Sequence, residues 1–279
     1  MRPSDLPDPQ RALPSPLLET PVHEPGGMRL DTVPEEVPVA LSYNGIAHAV
    51  MLASPADLED FALGFSLSEG ILATPAELYD LEVETGDTGV VLHLRIAEAR
   101  FFALKSRRRA LAGRTGCGLC GVESLDQVAR PLAPLPAGPV FPAAALQRAL
   151  DGLAGSQPLR QRTGGVHAAA WCDPAGNVLL AREDVGRHNA LDKLIGALAG
   201  GAGDPRGGFA LVTSRASFEM VQKAATAGIT LLAAVSAPTG YAIRLAREVG
   251  LTLAGFLRPG RHTLYSHPER LDGSTRKDP

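Results

Sequence analysis

Between residues 37 and 96 apolar and polar positions alternate with a period near two. Residues 37–43 and 46–53 flank Asn44-Gly45, which predicts a hairpin, because both central positions of so tight a turn need positive φ. Ser54-Pro55-Ala56-Asp57 then reads as a helix start, with Ser54 as cap, Pro55 in the first helical position and Asp57 facing the dipole. Leu58, Phe61, Ala62 and Phe65 fall on one face of that helix, and Gly70 is placed to end it. Residues 81–84 and 90–96 predict another strand pair, and residues 101–112 a helix.

The second half changes rhythm. Helical patterns over residues 143–153, 187–198, 218–227 and 240–249 interleave with apolar strand-like runs at 166–172, 178–182, 209–213, 230–235 and 251–256. Strands alternating with helices of about ten residues predict an α/β sheet with helices on its faces, and place a site in the loops at the strand ends.

Composition adds boundaries. Nine of the 23 prolines fall between Pro3 and Pro38, so residues 1–35 read as a disordered Pro-rich tail, with no apolar run that would make a signal peptide. Five more lie in residues 131–142, read as a linker between an N-terminal α+β domain (36–130) and a C-terminal domain (143–271), with 272–279 as a tail. With 45% hydrophobic residues the body is a folding chain. A net charge of −3 does not suggest nucleic-acid binding, and no apolar run is long enough to cross a membrane. Three cysteines are too few for a disulfide scaffold, which favours a cytoplasmic, thiol-reducing setting.

Two of those cysteines carry the sharpest signal. Gly113-Arg114-Thr115-Gly116-Cys117-Gly118-Leu119-Cys120-Gly121 puts four glycines around Cys117 and Cys120, behind Arg107, Arg108 and Arg109. Such a loop suits a nucleophilic thiolate, exposed and held deprotonated by nearby cations. Half a zinc site is the alternative: Cys172 and His167 would complete four ligands, and the protein would be a non-catalytic zinc-dependent binding module. Cys172, beside Trp171 on an apolar strand, otherwise reads as a buried structural residue. The run Arg182-Glu183-Asp184-Val185-Gly186-Arg187-His188-Asn189 fits either a binding pocket or helix caps and salt bridges. Phe256, Leu257, Arg258, Pro259, Gly260 and Arg261 form a turn after a strand, where an aromatic ring and guanidinium groups suit a nucleotide.

These segments, together with Gly164-Gly165-Val166-His167, Ser214-Arg215-Ala216-Ser217-Phe218-Glu219-Met220, Ser236-Ala237-Pro238-Thr239 and Tyr265-Ser266-His267-Pro268-Glu269-Arg270, occur in an order that resembles the FdhD family of formate dehydrogenase accessory sulfurtransferases. The resemblance implies a cytidine-deaminase-like three-layer C-terminal domain beside the smaller α+β domain, in a homodimer. It implies that Cys117 carries persulfide sulfur, with Cys120 as companion, from a cysteine desulfurase to the molybdenum cofactor bound as bis(molybdopterin guanine dinucleotide), for formate dehydrogenase. It also assigns residues 256–261 to that cofactor, so that a GDP-like fragment is expected to bind. The His-x-Glu and Pro-Cys-x-x-Cys pattern of a zinc deaminase is absent from the sequence.

Overall fold

The computed structural model describes residues 12–112 and 132–272. It opens with a two-stranded antiparallel ribbon, β1 (Leu17–Glu24) and β2 (Gly27–Pro34), turned at Pro25-Gly26 with Gly26 at φ 121°. This corrects the expected tail (1–35) over residues 17–34, while residues 1–11 lie outside the described residues. The prolines do not break the ribbon: edge positions whose N–H points outward tolerate proline, and Pro-Gly is itself a turn former.

The N-terminal sheet has the order β4-β3-β6-β5, built from β3 (Val37–Tyr43), β4 (Ile46–Ala53), β5 (Leu78–Gly86) and β6 (Gly89–Ile96). The hairpin at Asn44-Gly45 forms as expected, with φ of 45° and 81°. Helix α1 (Leu58–Ser68) covers one face, where Phe61 and Phe65 join Val39, Leu41, Leu92 and Leu94 in a core. It starts later than predicted, after Asp57 in a left-handed conformation at φ 52°, because Ser54 is engaged by the other domain. Gly70 ends it at φ 62°. Helix α2 (Glu98–Ala112) follows β6.

Helices α3 (Ala143–Leu153) and α4 (Pro158–Thr163) lead into the C-terminal sheet. Its strands are β8 (His167–Cys172), β9 (Val178–Asp184), β10 (Phe209–Val212), β11 (Leu231–Ala234), β12 (Thr252–Arg258) and β13 (Arg261–Ser266), ordered β13-β12-β11-β10-β8-β9. The middle strands β10, β11 and β12 run parallel, as expected for strands linked through helices. Helices α5 (Arg187–Ala197), α6 (Phe218–Thr226) and α7 (Gly240–Val249) pack on one face and α3 on the other, giving three layers.

Residues 132–142 are not a free linker. Leu132 and Leu135 pack against the helical layer, the Leu135 N–H bonds the Val249 carbonyl at 2.8 Å, and Phe141 is fully buried. Its short strand β7 (Phe141–Pro142) pairs with β14 (Leu271–Asp272), so this strap belongs to the C-terminal domain. Proline prevents a long regular element there without preventing the leucines and the phenylalanine from packing.

The two domains meet backbone to backbone. A Cβ at Gly64 of α1 would overlap the Asp192 carbonyl of α5, and one at Gly196 of α5 would overlap the Asp60 carbonyl of α1. Only glycine lets two helices cross this closely. Polar pairs flank the crossing: Arg182 binds Asp60 at 2.7 Å, and buried Lys223 bonds Asp192, Ser68 and Glu69 at 2.8–3.0 Å. Burial alone would pull the Lys223 ammonium down, but the carboxylates of Asp192 and Glu69 outweigh it and hold the group above its ordinary value.

Candidate functional site

Because β10, β11 and β12 run parallel and β8 runs against them, one edge of the sheet collects the ends of β10–β12, the start of β8, the end of β9 and the starts of α5, α6 and α7. Most of the sequence motifs arrive there. The loops after β10 and β11 brace each other: Ala216 N–H bonds the Ala237 carbonyl at 3.2 Å, Thr239 N–H bonds the Ala216 carbonyl at 3.0 Å, and Ala216 bridges to Pro238. Phe256 N–H bonds the Ser236 carbonyl at 3.1 Å, which extends this floor to β12.

The run from Arg182 to Lys193 divides by role. Asp184, wholly buried, accepts from Ser54 N–H at 3.0 Å, Gly186 N–H at 2.7 Å and Asn189 Nδ2 at 3.0 Å, and pairs with buried Lys193 at 2.7 Å. Lys193 also donates to the Ser54 carbonyl at 3.0 Å. Glu183 accepts the first N–H groups of α4, from Leu159 and Arg160. These residues fix the turn and hold the N-terminal domain against it; they are structural. Arg187 and His188 stand at the start of α5, where no side chain caps the helix. Arg187 Nε and Ser217 Oγ, at the start of α6, are buried atoms without a hydrogen-bond partner among the described residues. Buried polar atoms normally find partners, so two that stand at uncapped helix starts suit an anion, whose charge the helix dipoles also favour. Ser217 was not singled out in the sequence beyond its motif, because its lack of a partner is visible only in three dimensions.

Two histidines flank this spot. Burial, then the charges of Arg187 and Arg160, hold His167 below its ordinary value. Burial, then Arg187, does the same to His188, whose Nε2 lies 2.9 Å from Glu219 Oε2. Both imidazoles are therefore shifted toward the neutral form.

The segment from Phe256 to Arg261 differs from the expected loop. Strand β12 continues to Arg258, β13 starts at Arg261, and Pro259-Gly260 is the hairpin tip, with Gly260 at φ 75°. One extra residue in β12 makes a bulge, where Phe256 takes φ 51° and remains 44% exposed. A strained aromatic turned outward by a bulge is how a strand end presents a ring to a ligand. Leu257 is core, so its side chain does not face the site. Arg258 donates to the Val235 and Leu257 carbonyls, which ties the hairpin to the end of β11. Gln147 of α3 clamps the tip, accepting from Gly260 N–H at 2.8 Å and donating to the Arg261 carbonyl at 3.3 Å. Tyr241, at the start of α7, adds a second partly exposed ring, stacked on Phe218 at 4.2 Å with Arg244 over its face. Residues 265–270 lie at the opposite end of the sheet; Ser266 bonds Leu251 and Leu253, and Arg270 bonds Gly250, all structural contacts.

Cys117, Cys120 and Arg114, and the side chains of Arg107, Arg108 and Arg109, lie outside the described residues. The zinc alternative nevertheless loses its second half. His167 and Cys172 sit at opposite ends of β8, about 16 Å apart at 3.3 Å per residue. Cys172 is fully buried in the core beneath α3, where burial pushes its thiol up to about 12. Among the described residues no group of three or more His, Cys, Asp or Glu could hold a metal ion.

These features define a mixed α/β protein of several sheets, whose C-terminal layers gather cations, helix starts and turned-out rings at one edge, the ordinary place for a ligand in such sheets. The chain belongs to the FdhD/NarQ family, whose model matches residues 34–272. It is 59% identical over 241 residues to the sulfur carrier protein FdhD of Cupriavidus necator, covering 86% of this chain and 84% of that one. It is 59% identical over 243 residues to the protein of the same name from Variovorax paradoxus, covering 87% of each. A crystal structure from Desulfotalea psychrophila, described as a formate dehydrogenase accessory protein, superposes with a TM-score of 0.71 at 25% identity, over 91% of this chain and 98% of that one. No helix among the described residues is long and apolar enough to cross a membrane.

Proposed function

We propose that this protein is a sulfur carrier for formate dehydrogenase. The family match across residues 34–272 supports the reading most strongly. The Cys117 thiolate attacks the sulfane sulfur of a cysteine desulfurase persulfide. A new S–S bond forms on Cys117 and the donor cysteine leaves as thiolate. On handover to the molybdenum cofactor, held on the C-terminal domain as substrate, that S–S bond breaks and Cys117 leaves as thiolate. The reduced molybdenum centre of the substrate supplies the two electrons that take the sulfane sulfur to sulfide. Cys120 stands three residues on as its companion. The deaminase-like description of the C-terminal domain and a cytoplasmic setting belong to the same reading.

On this reading the guanine dinucleotide of the cofactor lies along the sheet edge. Phe256 offers a ring, Arg258 and Arg261 offer cations, and Arg187 Nε and Ser217 Oγ offer donors free for phosphate oxygens. Protein incubated with a cysteine desulfurase and cysteine gains the mass of one sulfur at Cys117, read by peptide mass spectrometry, and Cys117→Ala gains none there; sulfur found only elsewhere sinks the mechanism. Calorimetric titration shows guanosine diphosphate binding and adenosine diphosphate binding at least about tenfold more weakly, a gap of roughly 1.4 kcal/mol. Equal binding of the two, or binding of neither, removes the nucleotide site.

A further inference from the structure

The helices that begin at the candidate edge end away from it. Helix α5 is about 16 Å long and α6 about 14 Å. Toward their ends the two domains leave a cavity of about 560 Å³, lined by Leu67 and Leu72 of the N-terminal domain, Ile195 and Leu198 of the C-terminal domain, and Arg100 and Arg206. A smaller depression against Ala103 and Leu104 of α2 shares Gly70 and Arg100 with it, so the two make one groove that reaches α2. Phe102 stands 70% exposed on the same helix. The charged residues of the lining are the two arginines, with no carboxylate among them. Arg100 pairs with Glu77 at 2.8 Å. Arg206 is exposed: its backbone N–H bonds Asp204 Oδ1 at 2.9 Å, and its guanidinium has no hydrogen bond or ion pair among the described residues. An apolar hollow beside an unpaired arginine is the make-up of an anchor point in a protein contact. It suits an apolar side chain with a carboxylate next to it.

We propose that this groove docks the protein that loads Cys117 with sulfur, which seats an apolar side chain in the cavity and a neighbouring carboxylate on Arg206. The proposal rests on the sulfur-carrier reading. Position selects this partner. From Leu104 to the end of α2 is about 12 Å. Cys117 follows Ala112 by five residues, at most about 18 Å of chain. The thiol is therefore no further from Leu104 than about the width of a small domain, within reach of a protein seated there. The candidate cofactor edge stays uncovered meanwhile, because it lies at the starts of α5 and α6 and the groove toward their ends.

Loading of Cys117 from two donors tests this, followed over time by peptide mass spectrometry. One donor is a cysteine desulfurase with cysteine. The other is inorganic polysulfide, which needs no docking: the Cys117 thiolate takes a sulfane sulfur and a shorter polysulfide leaves. Arg206→Glu should slow loading from dilute desulfurase at least about tenfold, and the loss should recover as the desulfurase concentration is raised. Ala73→Trp, a bulky ring at an exposed position of the lining, should do the same. Arg206→Lys should keep most of the rate. Polysulfide should load all three variants like the unaltered chain, which shows that fold and thiol are intact. Desulfurase loading unchanged in both Arg206→Glu and Ala73→Trp overturns the docking site and leaves the carrier reading standing. Polysulfide loading that falls in step with desulfurase loading overturns it too, because the variants then act on the thiol and not on docking. No sulfur on Cys117 of the unaltered chain from either donor overturns the carrier reading and the docking site with it.

Discussion

The residues that look alike in the sequence do different work. Within one polar run, Glu183, Asp184, Asn189 and Lys193 are consumed by caps and a buried ion pair, while Arg187 and His188 face the candidate site. Residue type could not divide them, because an aspartate that accepts two backbone N–H groups, a side-chain amide and a lysine is written the same way as one that binds a ligand. Cys172 was legible: a cysteine beside tryptophan on an apolar strand is expected in the core, and it is fully buried. With its thiol pushed up to about 12 by burial, it stays protonated at pH 8. Iodoacetamide at that pH therefore leaves Cys172 unlabelled in the native protein and labels it in denaturant, as peptide mass spectrometry would read; native labelling there contradicts the buried placement. The histidines give the pH dependence. Both are held below their ordinary value in the free protein. A bound phosphate favours the protonated form and raises them, so binding takes up protons and strengthens as pH falls. Guanosine diphosphate affinity should rise from about pH 8 to about pH 6, and His167→Gln should flatten that slope. An unchanged slope in His167→Gln would remove His167 from the site.

At the scale of elements, the alternating helices and strands of the second half were read almost as they stand, because buried parallel strands and amphipathic helices write strong periods. The misreadings have separate physical causes. Proline was read as a disordered tail over residues 1–35 and as a linker over residues 131–142, yet Pro21 and Pro34 sit in the ribbon and the strap around Phe141 packs into the core. Ser54 was taken as a helix cap because its hydroxyl suits one; instead it accepts from Val185 N–H at 3.1 Å, a partner more than a hundred residues away. The turn at residues 256–261 was seen as a loop because the bulge at Phe256 breaks the period of two. Gly64 and Gly196 carried no signal beyond lying inside helical patterns, although they set how closely α1 and α5 cross. Gly64→Ala or Gly196→Ala forces a methyl onto a carbonyl of the facing helix. Each should lower stability by about 3 kcal/mol or more in chemical denaturation, at the upper end of overpacking costs. An alanine at either position that leaves the denaturation midpoint unchanged would show that the helices do not meet there.

For the molecule as a whole, a net charge of −3 hides a local grouping of cations at the sheet edge. Arg187, Arg215 and Arg258 come from segments far apart in sequence, and the topology places those segments at one edge of one sheet. The glycine crossing and the buried pairs of Lys193 and Lys223 close the N-terminal domain onto this sheet. The sequence alone could name the thiols and the family, but the floor of the site depends on which strands run parallel, and that is a property of topology. On the proposed function, the carried sulfur is attached to Cys117 Sγ. Formate dehydrogenase activity, measured in cells whose own family member is deleted and which carry this protein, tests it most directly. The account predicts activity with the unaltered chain and with Cys172→Ala, and only background activity with Cys117→Ala present at equal abundance. Full activity from Cys117→Ala would contradict it.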